Sequence, residues 1–303
     1  MALKDLFSRE GRRERTLQKA CAKAVNKKVK PEDRRPALYT LLEEARAVDA
    51  LRRQLGEAER NLAAKPDSGD SKAKVEELRA ELEIAMRHSD QAVLALLYRF
   101  TFLYDTNMVN DEEEKEMIFE GLVALGARIL PQVREHLHKS STLSWGLRVV
   151  REICDHETTW SVLAEMLKDY EPGYERDPTR KQQLMSFLGE FKLGEGDGGR
   201  TEPRAVDALL PYLGDHDETV RYMTVEALFK QGDERAREPL LQLMTNAEEE
   251  SGRIKHRIAD GFAEQGWLIK GFRGTVEKIL PEEYMVDGKG RIKLKKARDE
   301  AES

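Results

Sequence analysis

Apolar residues return every three or four positions along most of the chain, and strict alternation is confined to a short stretch near the C-terminus. That period belongs to helices with one buried face. Leu17, Ala20, Cys21, Ala24 and Val25 mark the first such face, in a helix expected to start near Thr16 as its N-cap and to end before Pro31. Leu3, Leu6 and Phe7 form a smaller apolar patch ahead of it. A second helix is predicted over 36–64; the segment PDSGDS breaks it, and Ser71 opens another. Between Arg52 and Arg87 charges dominate, and Leu55, Leu62, Val75, Leu78 and Leu82 are the apolar minority, which is the pattern of a projecting antiparallel helical hairpin. From Ala92 to Tyr104 the chain is nearly all apolar and must be buried. Short helices are then expected near 112–125, 129–138, 142–154, 159–169, 178–191, 203–213, 217–231, 235–245 and 251–266, joined by connections rich in Gly, Pro, Asp or His.

Two of these helices repeat. VRYMTVEALFKQG, from Val220 to Gly232, and IKHRIADGFAEQG, from Ile254 to Gly266, are offset by 34 residues at both ends. Val220 corresponds to Ile254, Leu228 to Phe262, and Gly232 to Gly266, the last pair being placed to end each helix in a left-handed cap. The helices before them correspond too, AVDALLPYL with AREPLLQLM, and ARILPQVREHL lies further upstream. Pro131, Pro211 and Pro239 are expected inside these first helices. Helical hairpins repeated at a fixed spacing predict an all-α solenoid, in which each hairpin buries the face its neighbour cannot bury alone. Near the end, EYMVDGKGRIKLKK alternates around Asp287 and Gly288 and reads as a small β-hairpin or a basic tail.

Composition agrees with an extended helical protein. Of 303 residues 40% are hydrophobic and 36% charged, which suits much surface per residue. The net charge of −6 conceals an asymmetry: residues 1–35 carry twelve Lys or Arg against five Asp or Glu, so this arm bears +7 and the remainder of the chain −13. A basic arm on an acidic body either folds back on that body or meets an anionic surface. No apolar run reaches the roughly 18 residues that span a bilayer, and the first residues lack the apolar core of a secretion signal, so the chain is expected in the cytoplasm. Cys21 and Cys154 lie in helical contexts far apart and are expected to be unpaired.

The pattern AVDALLPYLGDHDETVRYMTVEAL resembles HEAT repeats, particularly the short kind first noted in phycobilisome lyases: an Ala-Val start, a proline in the first helix, an Asp-rich turn, Val-Arg opening the second helix, then Ala-Leu. The resemblance is strong over 203–266, fair over 117–191 and weak over 36–104. Through DEEEKEMIFEGLVALGARILP, YERDPTRKQQLMSFLGEFK and GDERAREPLL the chain is also similar to bacterial HEAT-repeat proteins of unassigned role, and against them the stretch around 56–88 looks like an insertion. The Trp-Leu-Gly-Tyr pattern of tetratricopeptide arrays is missing.

Candidate chemistry is sparse. HEAT-repeat deoxyhypusine hydroxylases carry several His-Glu pairs, whereas this chain has one, His156-Glu157, so no dinuclear metal site is expected. GEGDGG at 194–199 lacks the following Lys-Ser or Lys-Thr of a phosphate loop and reads as a flexible connection. Asp105 to Glu116 places acidic or amide side chains at several positions of a calcium loop, but Asn110 stands where such a loop needs glycine; a helix start capped by Asp111 or Asn110 is the plainer reading.

In HEAT arrays the second helices line the concave surface, and here the resemblance puts Trp145, Arg148, Arg151, Arg180, Arg221, Tyr222, Lys255 and Arg257 on them. They form a peptide or phosphate groove, or Arg221 and its equivalents pair with acidic residues of the preceding turn and Trp145 is core. The expectation is therefore a non-catalytic cytoplasmic scaffold or adaptor that binds a protein partner on that concave face, with no cofactor and no metal. The alternative is a lyase-like or DNA-repair HEAT protein holding a chromophore or nucleic acid, against which the acidic body argues. The expected organisation is a basic arm over 1–35, whose membrane-surface contact would be weak; a solenoid over 36–270, with a charged hairpin inserted at 57–88; and an extension over 271–303.

Overall fold

Helix starts in this chain are set by prolines and short polar caps. The computed structural model describes residues 9–104, 108–194 and 199–295. Among them are thirteen α-helices, four short 3-10 segments and one two-stranded sheet, so the fold is all-α. Contacts divide the chain into two units, 1–162 and 163–303.

In the first unit, α1 (Arg9–Ala24) lays Leu17, Ala20 and Ala24 against α2 (Pro31–Ala64) and α3 (Gly69–Tyr98). Thr16 does not cap α1: the helix is already formed at Arg9, and the Thr16 hydroxyl donates to the Arg12 carbonyl at 3.0 Å, the usual bond of a hydroxyl inside a helix. Because α1 stops at Ala24, Val25 leaves the expected buried face and is 37% exposed. Leu3, Leu6 and Phe7 lie outside the described residues. The next helix opens at Pro31 rather than Pro36, since a fixed φ and a missing N–H suit the first helical position; Pro36 sits on the exposed side of the same helix.

α2 and α3 run antiparallel. Ser89 donates to the Ala45 carbonyl at 3.4 Å and Arg79 pairs with Glu59 at 2.9 Å. Ser68 caps α3 by accepting from the Ser71 N–H at 3.2 Å. The buried positions of α2 end at Val48, while those of α3 are Val75 and Leu78 and then Ala85 onward, so the distal part of the pair has little beyond its own two helices to pack on. α4 (Met108–Val123) packs on α2 and on α6 (Ser144–Ile153), and α5 (Leu130–Lys139) on α3 and α6. The unit boundary falls within α7 (His156–Asp169).

The second unit continues with α8 (Thr179–Glu190), α9 (Pro203–Leu209), α10 (Glu218–Gln231), α11 (Arg237–Thr245), α12 (Gly252–Gln265) and α13 (Arg273–Ile279). Of the prolines expected in helix interiors, Pro131 and Pro239 occupy first turns of α-helices, while Pro211 lies where α9 tightens into 3-10 geometry. Pro131 opens α5 after a 3-10 turn, Pro211 opens the 3-10 segment Leu210–Gly214 that continues α9, and Pro239 is the third residue of α11. In a first turn N–H groups have no intrahelical acceptor, so a missing N–H costs nothing there. Gly232 and Gly266 end α10 and α12 at φ +71° and +65°, as their spacing predicts. Asp217 and Ser251 cap the starts of the same two helices, accepting from Val220 N–H at 2.9 Å and Ile254 N–H at 3.2 Å. The second helices approach closely through glycine: a Cβ on Gly189 would lie 2.7 Å from the Ala227 Cα, and one on Gly261 2.3 Å from the Phe229 ring.

The array is closed at its C-terminal end by β1 (Tyr284–Val286) and β2 (Ile292–Leu294), antiparallel with Met285 opposite Lys293. The turn is longer than an Asp-Gly two-residue turn. Asp287 Oδ1 accepts from the Lys289 and Arg291 N–H groups, and Gly290, not Gly288, takes the positive φ of +78°. β2 packs on α12, Tyr284 and Ile292 are buried, and the Tyr284 hydroxyl donates to Asp260, so the hairpin covers apolar surface that a further repeat would otherwise cover. The end of the basic tail, 296–303, lies outside the described residues. Replacing residues 57–84 with a short Gly-Ser linker is expected to leave the thermal midpoint nearly unchanged while reducing the helical circular dichroism signal; a collapse of the midpoint would show that the distal hairpin supports the rest of the first unit.

Candidate functional site

In the second unit buried charges mark the turns between paired helices. The Asp215 carboxylate is fully enclosed, and Lys181 of α8 reaches it at 2.9 Å with side-chain exposures of 1% and 0%. Asp215 also accepts from the N–H groups of Gly173 at 3.0 Å and Asp217 at 2.9 Å, while Lys181 donates a further bond to the Gly173 carbonyl at 3.0 Å. One repeat later, 34 positions on, Glu249 takes the same place: it accepts from Ser251 N–H at 2.8 Å and from Arg221 of α10 at 2.7 Å. Arg221 spends its other donors on the Asp215 and His216 carbonyls at 2.9 and 3.1 Å. α8 and α10 thus each send a cation into the next turn, where the carboxylate also orders the residues that begin the following helix. Burial alone would raise the Glu249 carboxyl, but hydrogen bonds from Arg221 and Ser251 outweigh it and hold it below the ordinary glutamate range.

The first unit has its own buried charge cluster. Glu114 Oε2 accepts from Arg34 and Arg99, both at 3.0 Å, and all three side chains have zero exposure. Arg99 also reaches Asp111 at 2.5 Å, and Lys115 meets the other Asp111 oxygen at 2.7 Å. Both guanidiniums lie over the Phe102 ring, at 5.6 and 4.5 Å. Asp111 therefore is not a helix cap: α4 has begun before it, and its carboxylate is turned inward to Arg99, Lys115 and the Tyr104 N–H. Burial would raise its carboxyl, and the bonds from Lys115 and Arg99 reverse that. Asp105, Thr106 and Asn107 of the calcium-loop pattern lie outside the described residues, as do residues 195–198 of the glycine-rich connection.

The second-helix residues expected to form a groove fall in both units. In the first, Trp145 of α6 is half-buried, its ring stacked on Phe100 at 5.1 Å with 7° between planes and meeting Phe119 edge-on at 6.0 Å. Arg148, one turn on, lies over Trp145 at 4.2 Å and Phe119 at 4.6 Å and reaches Glu116 at 3.4 Å. Its side chain is 37% exposed, so one edge of this aromatic shelf faces water. Arg151 is exposed and lies 3.6 Å from Glu152. In the second unit Arg180 stacks over Tyr170 at 4.7 Å, Arg253 covers Tyr222 at 4.2 Å while pairing with Glu218, and Arg257 is held by Glu226 at 2.6 Å above the Phe229 ring. Lys255 is half-buried on α12. The fold assembles Trp145 with Arg148, and Tyr222 with the face that carries Arg257, while Arg221 points into the joint.

Phe100, Phe119 and Glu116, which complete the shelf, escape a reading by helical spacing because they come from other elements. Lys181 and Asp215 carry a signal that is visible only in the comparison of repeats: Asp215 and Glu249 both stand two residues before a helix cap. His156-Glu157 opens α7. Among the described residues no group of three His, Cys, Asp or Glu side chains could hold a metal ion, both cysteines are free, and no helix is long and apolar enough to cross a membrane.

Helical hairpins joined through their turns define a helical-repeat protein. Residues 193–258 match the family model of HEAT repeats, and that stretch carries HEAT repeats. No curated protein and no solved structure matches the chain.

Lys181→Met strands Asp215 in the turn and is expected to cost about 3–5 kcal/mol in urea unfolding, only part of it recovered when Asp215→Leu is added, since the Gly173 and Asp217 N–H groups then lose their acceptor. A cost below about 1 kcal/mol would show that water reaches the turn. Glu249 has its carboxyl depressed by folding, so its contribution is complete above the unfolded value of about 4.3 and fades as pH falls through the folded one. Glu249→Gln is therefore expected to lower the urea midpoint at neutral pH, with the difference from the native chain narrowing below about pH 4. A difference that holds constant down to acid would remove the charge from the explanation.

Proposed function

We propose that the protein is a non-catalytic adaptor of the cytoplasm, a scaffold that holds a protein partner on the surface lined by its second helices. HEAT repeats are interaction scaffolds in general, and the observation that carries the reading here is the shelf of Trp145 and Phe119 with Arg148 laid across it. Trp and Arg are the residue types that dominate binding energy at interfaces, and a ring already fixed by Phe100 loses little freedom on binding. Arg148 keeps part of its guanidinium in water opposite Glu116, so an incoming acidic group competes with an exposed pair worth at most about 1 kcal/mol. Arg180, Tyr222, Lys255 and Arg257 are secondary candidates, and Arg151 is the most exposed of the set. The organisation that goes with this reading is a basic arm over 1–35, a repeat body over 36–270 that carries the 57–88 hairpin, and a C-terminal cap from 271.

Affinity capture from native lysate, read by mass spectrometry, tests it. Arg148→Glu is expected to abolish capture of the main partner with the thermal midpoint shifted by only a few degrees, because the pair it breaks is exposed. Capture retained by folded Arg148→Glu would move the interface off this face.

A further inference from the structure

α1 docks on the body with four of its cations left outside any ion pair among the described residues. α1 is fixed by its apolar side, by Arg13 to Glu44 of α2 at 2.7 Å, and by Glu14 to His88 of α3 at 2.6 Å. On the other side Arg12, Arg15, Lys19 and Lys23 follow one another at helical spacing, and three of the four are exposed while Arg15 is half-buried. Among the described residues none of the four has an ion-pair partner. The connection to α2 adds exposed Lys27, Lys28 and Lys30, of which Lys27 lies 5.9 Å from the Phe102 ring. Elsewhere most cations on the repeat faces are engaged by carboxylates, as Arg221, Arg253 and Arg257 are.

We infer that this stripe is an electrostatic docking face for an anionic phospholipid surface. Seven cations along one helix and its following turn, with no carboxylate among the stripe residues, present a continuous positive edge to a plane. Five of the seven are lysines, compact hydrated charges without the fork that recognises a single carboxylate or phosphate. The stripe itself carries no aromatic ring on which a base could stack, and the −13 of the remaining chain repels a polyanion that would extend beyond the stripe. Because Leu17, Ala20 and Ala24 are already buried against the body, the helix does not insert; adhesion rests on charge and vanishes with salt.

Co-sedimentation of the full chain with vesicles tests the inference. Binding is expected to phosphatidylcholine vesicles doped with phosphatidylglycerol at low salt, not to phosphatidylcholine alone, and it should be lost near 1 M salt, where screening acts within about 3 Å. Each cation near the surface contributes about fivefold, so Lys19→Glu/Lys23→Glu is expected to weaken binding by at least about twentyfold with an unchanged melting curve, while Lys19→Arg/Lys23→Arg retains it. Equal binding by the Glu variant would overturn the inference, as would absence of binding at low salt. Tighter retention on duplex DNA at the same salt, or a dimer of the vesicle-free chain dissolved by the Glu substitutions, would assign the stripe to nucleic acid or to a second copy instead.

Discussion

A carboxylate buried in the turn between two helices has to be met by a cation, because a lone charge withdrawn from water is worth several kcal/mol against folding. In the second unit that requirement is met across repeats. Asp215 is satisfied by Lys181 of the preceding second helix, and Glu249 by Arg221 of the next one along. The carboxylates also accept the backbone N–H groups of the caps themselves, Asp217 and Ser251, so one buried charge orders the turn, the start of its helix and the contact with the previous repeat. Apolar packing then fills the remainder, with Gly189 and Gly261 allowing the second helices to approach. The first unit solves the same problem with Glu114 between Arg34 and Arg99.

This arrangement divides the arginines of the second helices by role. Arg221 is turned into the joint and has its donors occupied. Arg148 lies on the surface over two rings, with only an exposed acid to compete for it. The proposed adaptor role needs both kinds: fixed joints keep successive hairpins in register, and side chains left over on a unit's surface are available to a partner. The basic stripe on α1 is a third class, since its helix is docked while its charge is not spent.

Much of the fold was legible in the periodicity. Val220 to Gly232 and Ile254 to Gly266 are helices of equal length ended by left-handed glycines, and the Asp287 region does form a hairpin. Boundaries failed where a local signal had two readings: Thr16 bonds back inside a helix, and Pro131 and Pro239 sit in first turns instead of interrupting helices. The buried charges were hidden for a different reason. Lys181 and Arg34 carry no sequence signal of burial, because their partners lie 34 and 80 positions away and no local pattern links them. Trp145 and Arg148 could be placed together by helical spacing, whereas Phe100 and Phe119 reach them from separate elements through tertiary packing.

The most direct test of the joint is native-state hydrogen exchange on Asp215→Asn. If the buried carboxylate couples neighbouring hairpins, the amides of α8 and α10 should lose protection together and by a similar free energy, since the substitution frees Lys181 on one and the capped turn on the other. Faster exchange confined to residues 214–217, with both helices as protected as in the native chain, would contradict the account and leave apolar packing alone as what holds the repeats in register.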